Sequence, residues 1–138
     1  MRRVLVDTGP LVALLHAGDA AHGWAAETMR GLKEPLLTCE SVLAETCHLV
    51  RHLQDGRARV LGLLDRDVVR VVFDLGAEQR AVAGLLRRYA DVPMSLADGC
   101  LVRMAELMSD TEVLTLDRDF LVYRAERRRK LRVIAPWC

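Results

Sequence analysis

Aromatic side chains are scarce: two Trp, two Tyr and two Phe make up 4% of the 138 residues, too few for a platform on which successive nucleic-acid bases could stack. Lysine is scarcer still, because 18 of the 20 basic residues are arginine, the side chain suited to forked contacts with phosphate or carboxylate. A net charge of +1 excludes a strongly basic binder, so any attraction to a polyanion has to be local. No apolar run approaches the ~20 residues of a membrane helix; even Leu11 to Leu15 is stopped by His16 and Gly18. Met1-Arg2-Arg3 has the basic character of a secretory start, but Val4-Leu5-Val6 is too short an apolar stretch before Asp7. A cytoplasmic protein without a membrane segment is expected. The cysteines at 39, 47, 100 and 138 form no C-x-x-C pair and no dense disulfide scaffold, so they read as reduced thiols, mostly buried.

An apolar fraction of 51% is enough to fill one core, and the expectation is a single domain over residues 1–138. Val4-Leu5-Val6 reads as a strand ending at the turn signal Asp7-Thr8-Gly9-Pro10, with a helix following through Leu15. A second helix is expected from near Asp19 through Trp24, Thr28 and Leu32, barred from continuing by Pro35. Leu36-Leu37-Thr38 reads as a short strand, with Ser41 as cap of a helix carrying Glu45. A helix through Val60, Leu63 and Leu64 precedes the β-branched run Val68 to Phe73. Helical spacing returns over 77–89, Ser95 caps a helix through Leu101 and Met108, residues 113–116 read as strand, and 131–135 as a last one. Strands alternating with helices predict an α/β fold: an α/β/α sandwich with a central, mostly parallel sheet. In such sheets functional groups gather at the C-terminal strand ends, where strand order reverses.

Asp7 follows the first strand and Asp117 the strand of 113–116, while Glu45 and Asp98 fall in helices or near helix starts. Asp98 lies within the otherwise apolar Met94-Ser95-Leu96-Ala97 and Gly99-Cys100-Leu101-Val102, where a charge without a purpose is costly. Bringing two carboxylates to ~5 Å costs about 3 kcal/mol at an effective dielectric near 20, so four together are unfavourable without a cation. Oxygen-only ligands favour Mg²⁺ or Mn²⁺, which leave coordination sites for phosphate oxygen and water. That is phosphodiester hydrolysis chemistry. The opposing reading is that these acids are ordinary caps and surface charges.

The motifs carrying these acids resemble the PIN domains, and within them the VapC-type toxins of toxin–antitoxin pairs. Val6-Asp7-Thr8-Gly9-Pro10-Leu11 is similar to the family's opening motif and Asp19-x-x-His22 to the start of its second helix. Glu45, after Val42-Leu43, stands where the family has its mid-chain glutamate. Ser95-Leu96-Ala97-Asp98-Gly99 and Thr115-Leu116-Asp117-Arg118-Asp119-Phe120 resemble the later two motifs. The resemblance spans nearly the whole chain. It implies a ribonuclease in which Asp7, Glu45, Asp98 and Asp117 hold one or two Mg²⁺ or Mn²⁺ ions, Asp119 is auxiliary, and Glu45 orients water. Thr8 and Thr115 would donate hydrogen bonds that fix the carboxylate rotamers. It also implies an RNA substrate, a cognate antitoxin protein and a homodimer. Leu116 departs from the family, many of whose members carry a polar residue there.

Other readings compete. Asp7-Thr8-Gly9 spells the aspartic protease triplet, but nothing else in this helix-rich chain supports a protease. A phosphotransfer enzyme with a nucleophilic aspartate would want a second aspartate where Gly9 stands. Glu45-x-x-His48 has di-iron spacing without a second copy, and His48 and His52, one helical turn apart, could be zinc ligands; His16 and His22 read as structural. Met94, Met104 and Met108 with Leu101 and Leu107 read as core rather than interface. The same fold could serve a housekeeping RNA-processing nuclease. A noncatalytic RNA- or partner-binding module is the main alternative to an enzyme, and its feature would be the Arg-rich segment 124–132, which could guide an RNA backbone, contact an antitoxin or keep the surface solvated.

Overall fold

The computed structural model describes residues 3–138; Met1-Arg2 of the basic start lie outside the described residues. Five strands form one sheet: β1 (Arg3–Val6), β2 (Leu36–Thr38), β3 (Val69–Val71), β4 (Thr111–Leu114) and β5 (Arg132–Ile134). Their order is β3-β2-β1-β4-β5, every pairing parallel. The helices are α1 (Thr8–Leu15), α2 (His22–Arg30), α3 (Glu40–Leu49), α4 (Gly56–Asp65), α5 (Leu75–Arg88) and α6 (Leu96–Leu107). Parallel strands covered on both faces read as continuous apolar runs, and Val4, Leu5 and Val6 are all buried accordingly. From β1 the chain steps outward through β2 to β3 with α1 to α4 as crossovers, then returns through α5 and α6 to β4 on the other side of β1. Right-handed crossovers put those two groups of helices on opposite faces, the sandwich expected from the alternation.

Strand order reverses between β1 and β4. Their register, Val6 opposite Leu114, sends two chain segments out of the same sheet edge side by side, and the Asp7 N–H donates to the Leu114 carbonyl at 3.0 Å. The core beneath is built from Leu5, Leu11, Leu63, Leu101, Met104, Leu114, Phe120 and Tyr123. Leu101 and Met104 are core as expected, with Met94 and Met108 packed against it, but Leu107 is about half exposed.

Several boundaries differ from the sequence reading, each for a local reason. Helix α3 starts at Glu40 with Cys39 at its N-cap, and no side chain caps it; the Ser41 hydroxyl instead lies 3.9 Å from the Cys100 thiol. Helix α2 starts at His22, because Asp19 forms the preceding turn, its carboxylate accepting from the Ala21 N–H at 2.8 Å. The fourth strand is Thr111–Leu114 rather than 113–116, although the Thr115 N–H still donates to the Ile134 carbonyl. Leu116 has left the sheet to pack on Gly9, where an added Cβ would approach its side chain to 3.2 Å. A short 3-10 turn, Arg118–Leu121, follows.

Candidate active site

Three of the four acids sit where their backbone puts negative charge to structural use. Asp7 is the N-cap of α1 and Oδ1 accepts from the Thr8 N–H at 2.8 Å. Asp98 completes a capping box at the start of α6: the Ser95 hydroxyl accepts from the Asp98 N–H at 3.0 Å, and Asp98 Oδ2 accepts from the Ser95 N–H at 3.3 Å. Asp117 caps the 3-10 turn, its Oδ1 accepting from the Asp119 N–H at 2.9 Å. Each therefore satisfies orphan donors at a positive helix end. The cap reading is correct for all three, yet it does not explain why they meet. Asp7, Glu45, Asp98 and Asp117 line one open cleft of about 530 Å³, together with Thr8, Gly9, Leu49, Pro93, Ser95, Leu116 and Arg118.

The two deepest acids are fastened by hydroxyls. The Thr115 hydroxyl donates to Asp7 Oδ2 at 2.8 Å and itself accepts from the Asp117 N–H at 2.9 Å, so one side chain ties both strand-end acids. The Tyr123 hydroxyl, fully buried, donates to Asp98 Oδ2 at 3.0 Å. Burial and the neighbouring Asp98 charge hold that phenol well above its ordinary range, keeping it a donor. Thr8 departs from expectation: its backbone serves Asp7, while its buried hydroxyl has no hydrogen-bond partner among the described residues. Asp119 is not among the residues lining the cleft; it contributes its N–H to Asp117 and its carbonyl to Val122 and Tyr123.

Burial pushes the Asp7 carboxyl up to about 7, with the charges of Asp98 and Glu45 adding and the bonds from Thr115 and Thr8 opposing. Asp98 is also raised, by burial first and by Asp117 among the rest, against the bonds from Ser95 and Tyr123. The acids thus act on one another electrostatically, and once they ionise the four carboxylates outnumber the one arginine, Arg118, that lines the cleft. Glu45 differs from the other three: it is exposed on the mid-helix face of α3 and caps nothing.

These residues suit a hard divalent cation. The donor set is oxygen only, Asp98 Oδ1 and Asp117 Oδ2 accept no protein hydrogen bond among the described residues, and Thr8, whose buried hydroxyl is an orphan, is itself a cleft-lining residue. No three His, Cys, Asp or Glu side chains among the described residues are drawn into a group that could grip an ion by themselves. The acids line an open site rather than a closed cage, as suits Mg²⁺, which keeps several waters. The histidines offer no competing centre: His22 Nδ1 lies 2.7 Å from the Ala13 carbonyl, His16 and His52 stack edge to face at 5.6 Å, and exposed His48 contacts Arg51.

Two residues escaped the sequence reading, one lining the cleft and one buried behind it. Arg118 brings the cleft its cation, its guanidinium held 4.6 Å over the Trp137 ring. Tyr123 was unassigned because its link to Asp98 spans 25 residues; its place shortly after Asp117, just past the turn that packs Phe120 into the core, was the available signal.

A parallel sheet with carboxylates gathered at its switch point is the frame of a PIN domain. The PIN domain family profile matches residues 4–126, and the chain belongs to that family. It is 27% identical over 117 residues to Ribonuclease VapC26 of Mycobacterium tuberculosis, covering 83% of this chain and 87% of that protein. Its fold is also that of M. tuberculosis VapC20, described as a sarcin-ricin loop cleaving toxin, with a TM-score of 0.76, 24% identity, and coverage of 84% of this chain and 91% of that one. Among the described residues no helix is long and apolar enough to cross a membrane.

Proposed function

We propose that this chain is a single-domain, Mg²⁺- or Mn²⁺-dependent endoribonuclease acting in the cytoplasm as the toxin of a toxin–antitoxin pair, bound by a cognate antitoxin protein and assembled as a homodimer. The observation that carries the catalytic reading is the convergence of Asp7, Glu45, Asp98 and Asp117 on one cleft although three of them belong to separate helix caps. Family membership and the likeness to a protein named a ribonuclease support RNA as substrate.

In this reading Asp7, Asp98 and Asp117 hold the cation, with Asp7 and Asp98 fixed in rotamer by Thr115 and Tyr123. When bound, the cation would supply Lewis-acid polarisation of a phosphoryl oxygen and would lower the pKa of a water it holds. Glu45, with no capping duty, orients the attacking water and takes up its proton. Arg118 offers its guanidinium to a non-bridging phosphate oxygen from the same cleft. In-line attack forms the new P–O bond and breaks the bond to the departing ribose oxygen, which takes its proton from solvent water at the open cleft. Leu49 and Leu116 add apolar surface to the cleft lining.

The test is incubation of the purified protein with end-labelled structured RNA, with and without Mn²⁺, beside Asp98→Asn. Cleavage that needs the metal and is lost in the variant supports the reading. Equal cleavage by both proteins points to contamination, and RNA binding without metal binding or cleavage favours the noncatalytic module.

A further inference from the structure

The Arg-rich segment is not one solvated run. Arg129 pairs with Glu126 at 3.2 Å and donates to the Ala105 carbonyl at 2.8 Å, and Arg132 pairs with Asp110 at 3.0 Å. Arg124, Arg127 and Arg128 instead join Arg88, from the end of α5, around a separate pocket of about 470 Å³ floored by Tyr89. Among the described residues none of these four arginines has a carboxylate partner. Four arginines lining one pocket give this face a local positive charge, although part of its wall is apolar, as the stems of arginine and the ring of Tyr89 would make it. The backbone adds strain, because Arg127 and Arg128 are consecutive non-glycine residues in the left-handed region, at φ 58° and 60°. Their loop is pinned on both sides, by the Arg124–Lys130 bridge and by the Ala125 N–H to the Arg129 carbonyl at 2.9 Å. A strained, pinned tip carrying unneutralised charge calls for an anionic ligand.

Two chain segments link the pocket to the acidic cleft. Residues 89–95 run from Tyr89 in the arginine pocket to Pro93 and Ser95 in the cleft, and residues 116–124 run from Leu116, Asp117 and Arg118 in the cleft to Arg124 in the pocket. The rings of Tyr89 and Tyr123 meet edge to face at 5.2 Å, the Tyr89 hydroxyl accepts from the Arg124 N–H at 2.8 Å, and the Tyr123 hydroxyl reaches Asp98. With a net charge of only +1 and four acids in the cleft, the protein has no general attraction for a polyanion, so a phosphate chain needs cations placed beside the acids.

We propose that Arg88, Arg124, Arg127 and Arg128 form a phosphate-backbone subsite that holds the RNA strand flanking the bond to be cut. This rests on the ribonuclease reading, and it adds where the substrate leaves the cleft and what feature of it is recognised: charge along the strand rather than base identity.

The test uses Arg88→Gln/Arg127→Gln/Arg128→Gln, leaving Arg124 because its guanidinium also bonds the carbonyls of Leu121, Val122 and Tyr123. The control, Arg30→Gln/Arg57→Gln/Arg66→Gln, removes the same charge elsewhere. Binding of a fluorescein-labelled 20-nucleotide RNA hairpin is measured in EDTA against salt, and cleavage of the same hairpin is measured separately in Mn²⁺. The subsite predicts affinity lower by on the order of tenfold or more and a log K against log salt slope shallower by about 2 for three lost phosphate contacts, with the control unchanged. Wild-type cleavage alongside equal binding and slope in both variants overturns the subsite and leaves the ribonuclease intact. Absence of both RNA binding and cleavage in the wild type overturns both. A poly-glutamate peptide that binds the wild type and loses more affinity in the pocket variant than the hairpin does assigns the pocket to an acidic protein instead and overturns the proposal.

Discussion

Replacing Asp7 by Asn should stabilise the protein at alkaline pH while removing its activity. Asp7 is 6% exposed, and its carboxyl is pushed from 3.8 to about 7, chiefly by burial. Below pH 4 the group is protonated in folded and unfolded chains alike. Between about pH 4 and 7 the unfolded chain releases its proton while the folded one keeps it, so stability declines as pH rises and levels off above about 7. At ~1.4 kcal/mol per pKa unit, the loss is about 4 kcal/mol. Asparagine escapes it and can still accept from the Thr8 N–H, but its amide nitrogen cannot accept from the Thr115 hydroxyl, a loss of about 1 kcal/mol. The net gain at pH 8 is then about 2–3 kcal/mol, or on the order of 10 °C in Tm for a chain of this size. Thermal melts in EDTA at pH 8 and pH 5 measure it; at pH 5 the folded wild type keeps the proton and only about a third of the loss is present, so the gap should narrow to under about 1 kcal/mol. Mn²⁺ at pH 8 should raise the wild-type Tm by mass action and the variant's far less. An Asp7→Asn protein less stable than wild type at pH 8, or a gap of the same size at both pH values, would refute the electrostatic reasoning.

Tyr123→Phe keeps the packing on Phe120 and Tyr89 and deletes only the bond to Asp98; calorimetric titration should find Mn²⁺ affinity about 10–100-fold weaker, and unchanged affinity would remove Tyr123 from the site. Gly56→Ala would drive a Cβ into the Val50 carbonyl at the start of α4, so urea unfolding should show a loss on the order of 3 kcal/mol; a loss under about 0.5 kcal/mol would mean the turn yields freely. Stability across pH 4–7 in the Asp98→Asn protein should still decline, because Asp7 retains its burial, and a flat profile there would shift the titration to Asp98.

The sheet was legible because buried parallel strands are written as short apolar runs, Val4-Leu5-Val6 and Leu36-Leu37-Thr38 among them, and helices fall between them. Cap chemistry was legible where a side chain performs it, as at Ser95, and misleading at Ser41, whose hydroxyl turned to Cys100 instead. The four acids could be picked out from their motifs and their places at strand and helix ends, whereas their hydrogen bonds could not. Thr115 was expected to fix one of the carboxylates, and Asp7 proves to be the one its hydroxyl reaches, whereas Thr8 serves Asp7 through its backbone. Contacts that join distant segments left no periodic trace: Tyr123 with Asp98, Arg118 with Trp137, and Arg88 with the segment that follows Tyr123. Composition likewise showed an arginine run but not its division into paired and unpaired members, which depends on where Glu126 and Asp110 fall in space.

Glu45 offers the most direct test of the central claim, because it is the cleft acid without a capping role. Mn²⁺-dependent cleavage of a structured RNA by Glu45→Gln, compared with wild type at matched metal saturation, separates chemistry from folding. A rate lower by about 100-fold or more, with Tm within about 1 °C of wild type because nothing structural is removed, is the outcome a four-acid hydrolytic site requires. Wild-type cleavage rates from the Glu45→Gln protein would contradict it and reduce the cleft to a set of helix caps.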